Sequence, residues 1–164
     1  MTARPAPAHR APGFTLIELL VVVSLVAILA ALAAPGMRSL VASQRVRTTA
    51  SDLHLALVKT RSEALKRNAP VTLRPANAGD WASGWQIVAT VDGTLRVVDV
   101  TPVRGSVQVQ STPAIASVVF GYDGRTSAAA GGVQFSVSDA GTSQARCVSI
   151  DPAGRPYTRE GATC

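Results

Sequence analysis

Phe14–Ala34 reads FTLIELLVVVSLVAILAALAA, twenty-one residues with a single charge, Glu18. A helix of that length rises about 31 Å, roughly the hydrocarbon thickness of a bilayer. The leader before it, MTARPAPAHRAPG, carries Arg4 and Arg10 and no acid, and Pro5, Pro7 and Pro12 disfavour a helix there. Two readings of such a start compete. One is a secretory signal peptide cut after the small residues at Ala31-Leu32-Ala33, which would leave a soluble periplasmic protein. The other is a retained membrane anchor. A charge inside the apolar run, the length of that run, and Pro35 just beyond the cut all weigh toward the anchor. Orientation stays open, because Arg38, Arg45 and Arg47 follow the span and balance the leader.

The chain has 164 residues, 47% of them apolar and 16% charged, which allows one modest ordered domain with an appended segment. Aromatics are 4%, so the core is built from Val, Leu, Ile and Ala. Sixteen basic residues against ten acidic give a net charge of +6. All but Lys59 and Lys66 are Arg, a residue suited to planar contacts with carboxylate or phosphate. Two His and two Cys leave little material for a metal site or a His-based triad. His9 lies in the leader, and His54 stands between Leu53 and Leu55 as a surface or boundary residue. No phosphate-binding loop, nucleophile elbow or zinc spacing is present. The expectation is a non-enzyme with no cofactor and no metal.

After Pro35-Gly36 the pattern becomes amphipathic. Val46, Ala50, Leu53, Leu57, Ala64 and Leu65 recur at helical spacing among Arg38, Arg45, Arg47, Lys59, Arg61, Lys66 and Arg67. The basic remainder reads as a solvated face, with lipid headgroups or a partner as the alternative. Asn68-Ala69-Pro70 ends the helix. Span and amphipathic half together predict one helix of about 80 Å, bent at Pro35. Beyond Pro70 come six or seven short strands: Val71–Leu73, Gln86–Val91, Leu95–Val100, Ser106–Gln110, Ser117–Phe120, Val133–Ser138 and Arg146–Ile150. Asp92-Gly93 between two β-branched runs predicts a hairpin. Gly121–Gly124 and Asp151–Gly154 read as turns. The fold class is α+β, an antiparallel sheet or two small sheets packed on the apolar face of a long N-terminal helix. Ala76–Gly84 reads as a loop, with Trp81 inside it and Trp85 at its end, covering the helix–sheet seam as packing residues.

Gly13-Phe14-Thr15-Leu16-Ile17-Glu18 resembles the prepilin motif of type IV pilins and type II secretion pseudopilins. The resemblance implies that a prepilin peptidase cuts between Gly13 and Phe14 and methylates the new N-terminal Phe14. Glu18 then becomes the fifth mature residue and Pro35 the twenty-second, where the family often places a helix-kinking proline. A carboxylate in lipid needs a partner. The family supplies the N-terminal amine of a neighbouring subunit, which sets the axial register of assembly. The plainer reading of Glu18 is a side chain at headgroup level.

The β-rich region resembles the GspH/FimT branch in two stretches, Val118-Val119-Phe120-Gly121-Tyr122-Asp123-Gly124-Arg125 and Val148-Ser149-Ile150-Asp151-Pro152-Ala153-Gly154-Arg155. Each is a strand followed by a Gly-Arg turn. The resemblance implies a type IV pilin-like fold. It also implies a minor subunit at the filament tip that helps prime or cap a type IV pilus or a type II secretion pseudopilus. Its partners would be other pilins or pseudopilins, the prepilin peptidase, the inner-membrane assembly platform and membrane lipid. The expected organisation is a leader (1–13), a transmembrane helix (14–34), an amphipathic second half (35–69) and a periplasmic β-rich domain (70–164). Localisation is the inner membrane as a single pass, then the filament.

Cys147 and Cys164 are the two thiols. Exported to an oxidising compartment they are expected to pair, and closing the loop is worth about 3 kcal/mol in the chain-entropy view. Arg155 and Arg159 inside that loop, with Arg146 just before it, surround Tyr157. Arginines beside an aromatic suit DNA phosphates and base stacking. FimT-like members are associated with DNA uptake through a Gly-Arg-x-Arg element. This chain has Gly154-Arg155-Pro156-Tyr157, so the second Arg is replaced by Tyr157 and Arg159 follows two positions later. DNA binding at these residues is the alternative to a solvated basic loop.

Overall fold

Thr15 and Asn68 mark the two ends of the helix, each for a local reason. The backbone N–H of Glu18 donates to Thr15 Oγ1 at 3.3 Å, an N-cap that satisfies one of the free first-turn amides. At the other end Asn68 takes a left-handed conformation, φ 49°. Ala69 N–H reaches the Ala64 carbonyl and Asn68 N–H the Leu65 carbonyl, the double closure of a Schellman motif. Between them runs α1 (Leu16–Arg67). The computed structural model describes residues 14–127, 132–161 and 164, with the backbone alone at 33–35. The leader with Gly13, and the side chain of Pro35 on which the expected kink depends, lie outside the described residues.

The chain divides into two units, one ending at Met37 and one comprising Arg38–Cys164. In the first, every large aliphatic residue from Leu16 to Leu32 is exposed. Among the described residues no single helix is long and apolar enough to cross a membrane. Leu16–Leu32 reaches that length only together with the segment from Gly36.

In the second unit α1 presents one closed face. Ala42, Val46, Ala50, Leu53, Ala56, Leu57 and Ala64 are buried at spacings of three and four. Alanine and threonine are frequent along this stripe, with Thr49 and Thr60 buried beside the four alanines. The one hydroxyl it buries completely, Thr60 Oγ1, donates to the Ala56 carbonyl at 2.6 Å. Leu65, expected on this face, is instead half exposed, because Ala64 already occupies the inward position.

Eight strands follow among the described residues. β1 (Val71–Asn77), β2 (Asp80–Val91), β3 (Thr94–Thr101) and β5 (Val118–Phe120) form one sheet in the order β3-β2-β1-β5. β4 (Val107–Thr112), β6 (Val133–Asp139), β7 (Arg146–Ile150) and β8 (Pro156–Glu160) form the other, in that order. All pairings are antiparallel. The architecture is α+β, as expected. The Asp92-Gly93 hairpin forms with positive φ at both residues, 50° and 73°, the combination a type I′ turn needs.

Two sequence expectations are corrected. The loop 76–84 is a tight hairpin, because β1 runs to Asn77, β2 starts at Asp80, and Gly79 (φ 79°) supplies the turn. Trp81 and Trp85 therefore both lie in β2, on either side of a register irregularity, and both are buried. They are packing residues, but Trp81 closes the seam between the two sheets. Its ring meets Phe135 of β6 edge-on at 4.9 Å, and its indole N–H donates to the Ile115 carbonyl at 3.0 Å. The tail after Gly154 is a further strand rather than a loop, since its backbone completes the free edge of β7.

Candidate functional site

Phe14, the first described residue, is 86% exposed and lies one residue before the Thr15 cap. Glu18 follows in the first helical turn, exposed and with no ion-pair partner among the described residues. An uncapped helix start would leave its amides to water, which lipid does not offer. Thr15 removes part of that cost at the end of the helix that carries the apolar run. Glu18 also lies where the positive end of the helix dipole favours a carboxylate.

The second region is the β7–β8 hairpin. The disulfide between Cys147 and Cys164 is present, with Cα atoms 5.5 Å apart, and it ties Cys164 onto β7. Register puts Arg146 across from Glu160, Cys147 from Arg159 and Ser149 from Tyr157. The three candidate arginines do not form one cluster. Arg146 Nη2 bonds Glu160 Oε1 at 2.6 Å, and Arg155 Nε bonds Asp151 Oδ2 at 2.8 Å. Hydrogen bonding from the Arg155 backbone amide, and after it from the Arg155 guanidinium, holds the Asp151 carboxyl below its ordinary range. Of the three, Arg159 alone has no Asp or Glu partner among the described residues. Its guanidinium lies 5.6 Å from the centre of the Tyr157 ring, in cation–π range, and reaches the Cys164 carbonyl at 3.5 Å.

The two Gly-Arg turns are built alike, and they touch. In the first, Gly124 N–H donates to the Gly121 carbonyl at 2.9 Å and Gly121 N–H to the Arg125 carbonyl at 2.8 Å. In the second, Gly154 N–H donates to the Asp151 carbonyl at 2.8 Å and Asp151 N–H to the Arg155 carbonyl at 3.1 Å. Both glycines have positive φ, 71° and 78°. A Cβ on Gly154 would run into the Gly124 carbonyl, which also accepts Arg61 Nε of α1 at 2.9 Å. Helix, first turn and second turn are thus clamped together. The repeated pattern signalled two turns; their contact and the role of Arg61 were not legible in the sequence.

Among the described residues no group of His, Cys, Asp and Glu could hold a metal ion. A family model described as Type II transport protein GspH matches residues 49–154, a stretch that contains the clamp and most of both sheets. The chain belongs to the GspH family. The prokaryotic N-terminal methylation motif matches residues 9–34. No curated protein matches in sequence. Among solved structures this GspH-family chain is similar in fold to the type IV minor pilin FimU of Pseudomonas aeruginosa. Identity there is 19% and the TM-score 0.63, over 74% of this chain and 96% of that one. It is similar also to the minor pseudopilin EpsH from the Type 2 Secretion System of Vibrio cholerae, with 12% identity and TM-score 0.55, over 72% and 97% of the two chains. A third similar fold is Escherichia coli GspH, with 16% identity and TM-score 0.54, over 73% and 90%. The GspH-family chain thus carries the family's domain behind a prokaryotic N-terminal methylation motif, and it shares its fold with a type IV minor pilin and a minor pseudopilin.

Proposed function

We propose that this chain is cut after Gly13 by a prepilin peptidase and N-methylated on Phe14. The span 14–34 then holds it in the inner membrane as a single pass, with its β-rich domain in the periplasm. From there it enters the tip of a type IV pilus or a type II secretion pseudopilus, where it primes or caps the filament. Its partners are companion pilins, the peptidase, the assembly platform and lipid. The observation that carries this reading is the bare apolar helix behind Phe14. Its side chains are exposed, and its one carboxylate, Glu18, has no ion-pair partner among the described residues. Cover and partner are supplied when the span lies in lipid or against neighbouring spans and Glu18 meets a neighbour's terminal amine. Removing one end of a buried ion pair costs about 3–5 kcal/mol. Glu18→Ala is therefore expected to be processed normally and to be missing from sheared filaments. Normal incorporation of that variant overturns the reading. Mass spectrometry of the mature N-terminus separates methylated Phe14 from a signal-peptide product that begins near Ala34.

A DNA-uptake role has narrower support. With Arg146 and Arg155 each paired to an acid, it rests on Arg159 stacked over Tyr157. One guanidinium without an Asp or Glu partner gives weak, salt-sensitive phosphate binding. Arg159→Gln that leaves DNA uptake and DNA binding unchanged removes this role.

A further inference from the structure

We draw no further inference here: the strongest candidate, the aliphatic patch that Leu95, Val97 and Val100 expose on the edge strand β3, is an unpartnered apolar surface of its sheet, and nothing in the structure shows what covers it.

Discussion

One helix places its apolar side chains in two opposite ways. From Leu16 to Leu32 its leucines, valines and isoleucines are exposed, Leu25 at 56% among them. From Ala42 to Ala64 its apolar stripe is closed, with Leu53 and Leu57 at 0%. The first stretch is apolar on every side and the second on one face only. An all-round apolar helix finds its partners outside the chain, in lipid or neighbouring spans. A one-faced helix completes a core with its own strands. The contrast separates a stretch whose apolar side chains are exposed from the part that folds around a core.

The contrast is sharpest under alanine substitution. Leu57→Ala should destabilise the folded unit by about 2–5 kcal/mol, the cost of a core cavity. Leu25→Ala should leave its unfolding midpoint within about 0.5 kcal/mol of the parent, as an exposed position does. Equal effects of the two in denaturant melts of detergent-solubilised protein would break the division. The disulfide belongs to the folding part alone. Cys147→Ser with Cys164→Ser should cost about 3 kcal/mol, read in the same melts, and leave leader processing unchanged. A smaller effect is expected at Asp139, which is buried and bonded to Gly141 N–H at 2.8 Å and Ser106 Oγ at 2.8 Å. Asp139→Ala strands those donors at about 1–3 kcal/mol.

Asp139 also fixes the sign of the acid response. The Gly141 amide first, then the Ser106 hydroxyl and the nearby Arg45, hold its carboxyl below the ordinary 3.8. A group depressed on folding contributes stability that is present above its unfolded value and is lost as pH falls through its folded value. The parent should therefore lose stability below about pH 4 more steeply than Asp139→Asn, which has no proton to gain. Parallel curves would remove Asp139 from the acid transition.

The legible features were those carried by neighbours in the chain. Apolar content without periodicity marked the first helix half. A repeat of three and four marked the second, Asp92-Gly93 a hairpin, and Gly13–Glu18 the prepilin motif. Two features misled. Ala76–Gly84 is rich in small residues and reads as a loop, yet Gly79 alone makes the turn and the rest is strand. Pro156–Glu160 has no alternating apolar pattern, because both its faces are largely exposed and only backbone pairing with β7 makes it a strand.

Local chain chemistry was enough to settle the long helix, the sheet-rich second half and the family, since each is written in residues a few positions apart. Contacts between distant residues settled the rest. The Gly124 and Gly154 turns lie thirty positions apart and meet because two sheets close on one helix. The same closure pairs Arg146 and Arg155 with acids and leaves Arg159 over Tyr157. Charge and composition name the side chains available; packing alone decides which of them are already satisfied.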